Sequence, residues 1–295
     1  MILRPGSTPC NAMSVDVEDW FQVQNYAHVI GRDTWDARER RVEANTQRVL
    51  DLFEAAGVRA TFFTLGWVAE RHPALVRRIV AGGHELASHG HGHEQVFALG
   101  PMRFREDLRR AKGVLEDAGG VPVTGYRAPT FSLSPTRTEW AYAILAETGH
   151  RYSSSVFPGR HAGAADARSG PWRPFGGPVL ELPMTVLRLA GRALPVSGGG
   201  WFRMTPQALF FAALRRVNAQ GRRGVFYFHP WEIDPLQPRV AGMSWLQRRK
   251  HHTGLSAMAD RLAALLDPGA GFAWGRMDAV FAEEIGSAAP AALAA

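Results

Sequence analysis

Residues 83–93 of the chain, Gly-His-Glu-Leu-Ala-Ser-His-Gly-His-Gly-His, contain four of its 11 histidines: His84, His89, His91 and His93. The glycines disfavour a helix, so the stretch predicts a strand that runs into a loop. Imidazole is the commonest metal-binding side chain, and two imidazoles with a carboxylate form a catalytic zinc site with one open position. The stretch therefore predicts part of a metal site. The alternative is a polar surface loop in which the histidines have no special role.

Outward from this stretch, predicted strands and helices alternate about seven times. A helix is predicted over 73–81 before the stretch, and a strand over 58–64 before that helix. This alternation predicts an α/β protein with a mostly parallel sheet. Polar residues stand at the carboxyl ends of several predicted strands, which favours a barrel. We predict a single domain over 13–286, preceded by an N-terminal extension over 1–12 and followed by a disordered tail over 287–295.

The composition is that of a globular protein, with 46% hydrophobic and 21% charged residues in 295. The net charge of +7 is spread along the chain, so we predict no nucleic-acid partner. The single cysteine, Cys10, excludes an intramolecular disulfide and a thiolate metal site. Neither a signal peptide nor a transmembrane segment is visible. The expectation is a cytoplasmic protein that would act near the inner membrane if its substrate is a membrane-linked precursor.

Three carboxylates follow closely at the end of the predicted first strand: Asp16, Glu18 and Asp19. They would repel one another in an apolar setting unless a cation or an arginine neutralised them. On a strand Asp16 and Glu18 face the same way, and Asp19 faces away. The adjacent Trp20 and Phe21 indicate burial and argue against a solvated acidic turn. In the histidine stretch, the spacing of His89 and His93 suits one ion if the loop bends back, whereas His84 and His91 are interpreted as structural.

Two more polar residues stand at predicted strand ends. Arg127, just before Pro129, is either a guanidinium that orients a catalytic carboxylate or a member of a surface ion pair. His229 ends a buried aromatic strand over 224–229. It is either a general acid or a core histidine satisfied by the backbone.

The order Asp16-x-Glu18-Asp19, Ser88-His89-x-x-x-His93, Arg127-x-Pro129 and Phe228-His229 resembles the metal-dependent polysaccharide deacetylases of carbohydrate esterase family four. The strings over 15–21 and 228–235 are similar to the branch encoded with exopolysaccharide and exosortase loci. The resemblance extends from about residue 13 to about residue 280. It implies a distorted (β/α)7-type barrel and an enzyme that removes N-acetyl groups from N-acetylhexosamine units of an exopolysaccharide or its precursor.

The resemblance also implies roles for individual residues. Asp16 would be the general base, Arg127 would hold it, and His229 would protonate the leaving amine. His89 and His93 would bind a divalent ion, zinc in most relatives and cobalt or nickel in some. The third ligand is an aspartate in the family; here Glu18 is the first choice and Asp19 the alternative. The aspartate of the family's fourth motif is replaced by serines over 153–155, which leaves His229 without its expected partner.

Hydrolysis of an acetamide requires carbonyl polarisation, a strong nucleophile and protonation of a poor leaving group, and such a site can supply all three. The backbone N–H of Thr130 or Phe131, after Pro129, is a candidate for binding the oxyanion. Trp201 and Trp231 are candidates for stacking on sugar rings of an N-acetylated polysaccharide or oligosaccharide, although core packing explains each aromatic individually. The oligomeric state is open.

Two other classes of function stay open. One is a metal-independent amidase of the allantoinase-like type on the same barrel, whose activity would survive prolonged chelation. The other is a non-catalytic carbohydrate-binding protein, which would bind sugar and release no acetate.

Overall fold

The structure, a computed structural model, describes residues 9–134, 136–159, 168–189 and 191–287. Ten strands alternate with eleven α-helices in this part of the chain. The strands are β1 (Cys10–Val17), β2 (Thr61–Thr64), β3 (Glu85–Ser88), β4 (Gly125–Tyr126), β5 (Tyr152–Ser153), β6 (Leu180–Glu181), β7 (Val186–Leu189), β8 (Arg192–Pro195), β9 (Val225–Phe228) and β10 (Ala273–Gly275). The helices are α1 (Val42–Ala55), α2 (Gly66–Arg71), α3 (Pro73–Ala81), α4 (Val96–Gly119), α5 (Trp140–Glu147), α6 (Gly199–Met204), α7 (Gln207–Ala219), α8 (Trp245–His252), α9 (Leu255–Leu266), α10 (Met277–Val280) and α11 (Ala282–Gly286).

Eight of the strands form one parallel sheet in the order β10-β1-β2-β3-β4-β5-β6, with β9 also paired to β1. The sheet curls into a barrel that its backbone ladder does not close between β6 and β9 in the described residues. Instead, the hydroxyl of Thr185 donates to the carbonyl of Val225 at 3.1 Å and accepts the N–H of the same residue at 2.6 Å. The prediction of a distorted α/β barrel in a single domain is confirmed.

β1 is the centre of this sheet, and it explains where the polar residues converge. Seven of its eight residues are buried, because it pairs with β9, β2 and β10 and is covered by helices. Parallel strands bring their carboxyl ends to one face of the sheet. The ends of β1, β3, β4 and β9 carry Glu18, His89, Arg127 and His229, respectively.

Some predicted bounds need correction. β1 begins at Cys10, not at Met13, because Cys10 to Ala12 pair with β10; the predicted N-terminal extension is therefore too long. Residues 1–8 and 288–295, most of the predicted extension and tail, lie outside the described residues. The antiparallel hairpin of β7 and β8 was not predicted. No helix in the described ranges combines the length and hydropathy needed to cross a membrane.

Candidate metal centre and active site

Glu18, His89 and His93 converge at the carboxyl ends of β1 and β3. Their candidate ligand atoms all lie within 4.8 Å of one another, and all three side chains are buried. Two histidines and one carboxylate are the ligand set of a catalytic zinc site. The other polar atoms of this set are held in place: His89 Nδ1 lies 2.8 Å from the carbonyl oxygen of Arg127, and Glu18 Oε1 accepts the indole N–H of Trp231 at 3.1 Å. Such outer contacts fix the orientation of metal ligands.

The short contact between Glu18 and His93 fits two ligands of one cation. His93 Nε2 lies 2.7 Å from Glu18 Oε2, yet this buried oxygen has no hydrogen-bond partner of acceptable geometry among the described residues. A buried carboxylate oxygen without a donor is costly, so its presence calls for an explanation such as an ion. The donor set and this orphaned oxygen both fit a divalent metal.

The protonation states suit ligands as well. Burial raises the pKa of Glu18, but the neighbouring His93 and His229 outweigh it and lower that pKa to about 2. Burial lowers the pKa of His89 to about 4. At neutral pH these two residues are thus an ionised carboxylate and a neutral imidazole, the forms that bind a metal.

Backbone conformation bends the histidine loop so that His93 returns to the site. Gly90 has φ +74° and His93 itself has φ +52°, a left-handed conformation that is uncommon for a residue other than glycine. Strained residues of this kind cluster at functional sites. Arg32 holds the loop from outside, because it donates to the carbonyl of Gly92 at 2.8 Å and to that of His93 at 3.0 Å.

Asp19 and the other two histidines of the loop region are directed elsewhere. The Asp19 carboxylate accepts the backbone N–H groups of Trp20, Arg41 and Val42 at 2.9, 2.8 and 3.0 Å. It therefore caps the chain after β1, and the structure brings Glu18, not Asp19, to the two histidines. His84 Nδ1 accepts the N–H of Ala60 at 3.1 Å, and His91 Nε2 lies 3.0 Å from Glu70.

Arg127 is fully buried and binds Asp16. Its Nη1 donates to Asp16 Oδ1 at 2.6 Å and to Ser14 Oγ at 2.9 Å. Its Nε and Nη2 donate to the carbonyl and hydroxyl of Ser154, both at 3.0 Å. The guanidinium thus fixes Asp16 rigidly. A surface ion pair, the alternative for Arg127, is wrong because neither side chain is exposed.

His229 lies beside Glu18 and Asp16 at the end of β9. Its Nε2 lies 3.6 Å from Glu18 Oε1 and 4.0 Å from Asp16 Oδ2. Its Nδ1 lies 3.2 Å from Glu232 Oε2, and Arg203 Nε donates to the other oxygen of Glu232 at 3.0 Å. Burial lowers the pKa of His229, but Glu18, Glu232 and Asp16 outweigh it and raise that pKa to about 9. The three carboxylates therefore favour the protonated form of His229.

Sequence reasoning missed Glu232, although it stands three residues after His229 in a string already singled out. The expected partner of His229 is an aspartate of the family's fourth motif, and serines stand over 153–155 in its place. Ser154 instead binds Arg127, and Ser155 Oγ accepts the N–H of Ala128 at 2.8 Å. A carboxylate three residues after a strand-end histidine, at the first turn of a 3-10 helix, was the signal that could have found it.

The predicted substrate-binding residues differ in their hydrogen bonds and in their exposure. Phe131 already donates its N–H to the carbonyl of Ala128 at 3.1 Å, so Thr130 is the one of the two proposed oxyanion donors whose N–H stays available. Trp201 on α6 is 41% exposed. Trp231 is only 5% exposed and stacks on His229 and His251, so its assignment to sugar stacking is corrected to one of orienting Glu18 and His229.

The fold and site define an α/β barrel with a cluster of two histidines and one carboxylate, beside which lie Asp16 and His229. The family model described as polysaccharide deacetylase matches residues 33–152, and a model described as a domain of unknown function, DUF3473, matches 154–282. The first span contains His89, His93 and Arg127; Asp16 and Glu18 precede it, and His229 lies in the second. The chain is thus similar to the polysaccharide deacetylase family over residues 33–152.

Individual proteins that are similar to the chain are also named as deacetylases. The peptidoglycan deacetylase of Helicobacter pylori is 30% identical over 114 residues, 39% of this chain and 38% of the relative. The chitooligosaccharide deacetylase of Sinorhizobium fredii is 43% identical over 65 residues, 22% of this chain and 28% of the relative. The alignments thus span well under two thirds of these relatives. A crystal structure described as a "putative polysaccharide deacetylase" from Mycobacterium smegmatis has a TM-score of 0.64 at 21% identity and covers 96% of this chain and 92% of its own, which shows the shared fold.

Proposed function

We propose that the chain is a metal-dependent N-deacetylase that hydrolyses the acetamide of N-acetylhexosamine units in a polysaccharide. The observation that carries this proposal is the orphaned oxygen of Glu18 between two buried histidines, with Asp16 and His229 beside it. Glu18, His89 and His93 would hold the ion, with zinc as the first candidate and cobalt or nickel as alternatives. A divalent ion bound there would polarise the acetamide carbonyl as a Lewis acid and lower the pKa of water.

The protein's own groups supply the proton transfers. Asp16, held by Arg127 at 2.6 Å, takes the proton from the attacking water. His229 contacts Glu232 through Nδ1 and directs Nε2 toward Glu18 and Asp16, and it gives its Nε2 proton to the departing amine nitrogen. The N–H of Thr130 is the candidate donor to the developing oxyanion. An amine is a poor leaving group until it is protonated, so acid and base are both required.

The class of polymer is proposed from the similarity of the chain to other proteins. The relatives are named for peptidoglycan and chitooligosaccharide, both of which contain N-acetylated sugars. The strings over 15–21 and 228–235 favour an exopolysaccharide or its precursor within that class.

Acetate release from N-acetylated chitopentaose tests the proposal. Asp16→Asn keeps the size of the side chain but removes the base, and kcat is expected to fall about 10²- to 10⁴-fold. His89→Ala is expected to abolish acetate release together with tight zinc binding. Glu43→Gln, a matched change of a half-exposed carboxylate that pairs with Arg78, serves as the control and retains activity. Wild-type rates in both site variants would overturn the proposal.

A further inference from the structure

Helix α8 and the loop before it expose large apolar side chains. Trp245 and Leu246 are 64% and 67% exposed, and Leu236 in the loop is 80% exposed. Each of these side chains would gain free energy by leaving water, and adjacent exposed apolar groups are typical of a surface that contacts a partner. The helix itself is well anchored, because the hydroxyl of Ser244 accepts the N–H of Gln247 at 3.2 Å and so caps its first turn.

Positive charges lie on the same face of α8. Residues four apart on a helix are neighbours, so Arg249 follows Trp245 along the helix and Lys250 follows Leu246. The Arg249 guanidinium lies 5.3 Å from the centre of the Trp245 ring, which shows this arrangement directly. His251 is only 2% exposed and occupies the opposite side of the helix. The outer face therefore carries apolar groups at its first turn and cations at its last.

No acidic residue offsets these charges in the surrounding sequence. Residues 235–259 contain four cations and neither aspartate nor glutamate; the cations are Arg239, Arg248, Arg249 and Lys250. All four are exposed, and none of them pairs with a carboxylate of the residues that the structure describes. Such a surface attracts an anionic partner.

α8 is attached to the end of the barrel that carries the candidate active site. Gln237 donates to the carbonyl of Trp231 at 3.0 Å, and its Oε1 lies 2.9 Å from His251 Nε2. The Trp231 ring stacks on His251 and on His229, with 4.5 and 5.1 Å between ring centres. The helix thus packs on the turn that follows β9.

We propose that Leu236, Trp245, Leu246, Arg249 and Lys250, together the α8 surface, bind a membrane that contains anionic phospholipids. The tryptophan and the leucines enter the region between headgroups and acyl chains, and the cations bind the phosphates. A soluble polyanion would match the cations but not the exposed apolar groups beside them. Membrane contact there holds the candidate active site near the bilayer. It requires no catalysis, so the inference goes beyond the proposed function.

Co-sedimentation of the full chain with lipid vesicles tests this surface. The probes are vesicles of phosphatidylglycerol and phosphatidylcholine in equal parts, and vesicles of phosphatidylcholine alone. The wild type is expected to bind the anionic vesicles more than about tenfold more tightly than the neutral ones. Raising sodium chloride from about 0.05 to about 0.5 M is expected to weaken the binding, because salt screens the cations.

Two double variants separate the contributions of charge and apolar groups. Arg249→Gln with Lys250→Gln is expected to lower the partition coefficient on anionic vesicles about 30-fold. Trp245→Ser with Leu246→Ser is expected to lower it about tenfold or more. Both variants are expected to keep the wild-type melting temperature, because the changed side chains are exposed.

The matched control is Leu209→Ser with Arg216→Gln on α7, which changes a leucine that is 62% exposed and an exposed arginine. It is expected to bind vesicles as the wild type does. Absence of wild-type binding to anionic vesicles, or an equal loss of binding in the control, would overturn the α8 surface. Wild-type binding by Trp245→Ser with Leu246→Ser would show that charge alone is recognised, which contradicts a membrane partner. Acetate release from free chitopentaose is expected to be the same in all variants and the wild type, so failure of the proposed function would leave the vesicle result standing.

Discussion

Glu232 Oε2 accepts the backbone N–H of His229 at 3.0 Å and lies 3.2 Å from the Nδ1 atom of the same residue. One carboxylate oxygen thus fixes both the main chain and the ring of His229, and Arg203 neutralises the other oxygen. Burial raises the pKa of Glu232, but Arg203 and His229 outweigh it and hold that pKa below its ordinary value. The carboxylate that the serines over 153–155 cannot provide is supplied from the turn that follows β9.

Glu232→Gln is predicted to lower kcat for acetate release about 10²-fold while the protein stays folded. The amide keeps the size of the side chain but no longer stabilises a protonated His229. Rates are measured on chitopentaose, and folding is checked by circular dichroism. A variant with wild-type kcat would contradict the role of Glu232.

Gly199 offers a second test of the same contact. A Cβ atom at position 199 would lie 1.9 Å from Glu232 Oε2, whereas a Cβ atom at Gly200 would meet nothing within 4 Å. Gly199→Ala is therefore expected to displace Glu232 and reduce kcat, and Gly200→Ala is expected to retain it. Equal activities of the two alanine variants would show that the close approach of α6 to Glu232 does not matter.

Glu18 and Asp19 are adjacent carboxylates with different predicted roles. Glu18→Ala is expected to weaken zinc binding by more than the roughly 100-fold typical of a lost outer partner, because it removes a ligand. Asp19→Ala is expected to leave zinc binding unchanged and to lower the free energy of unfolding by about 2 kcal/mol, because buried N–H groups lose their acceptor. Zinc titration and urea unfolding measure the two effects. Loss of zinc in the Asp19 variant alone would reverse the assignment.

Glu85 predicts a pH dependence of stability far from the metal centre. Burial, with a smaller contribution from the charge of Asp278, raises the pKa of Glu85 from 4.5 to about 7. The folded protein therefore holds this proton more tightly than the unfolded chain. The resulting stabilisation is complete below pH 4.5 and is lost as the pH rises through 7.

Glu85→Gln isolates this contribution. The variant cannot ionise, so the difference in unfolding free energy between wild type and variant is expected to shift against the wild type from pH 5 to pH 8. Urea unfolding at both pH values provides the comparison. A difference that does not change with pH would contradict the raised pKa.

The sequence allowed the barrel and most of the site to be predicted, because β1, β3 and β9 place polar residues directly after apolar strands. The sequence alone could not show which of Glu18 and Asp19 would be the third metal ligand. β1 ends at Val17, and the direction of each carboxylate then depends on a turn in which the N–H of Glu18 donates to the carbonyl of Asp16 at 3.1 Å. The conformation of such a turn leaves no periodic pattern of apolar residues in the sequence from which it could be predicted.

Acetate release from chitopentaose by chelated protein, before and after one equivalent of zinc is restored, tests the central proposal most directly. The account predicts no acetate from the metal-free protein, recovery of activity at one zinc per chain, and no recovery in His93→Ala. Activity that persists after complete removal of the metal would contradict it and would favour the metal-independent amidase.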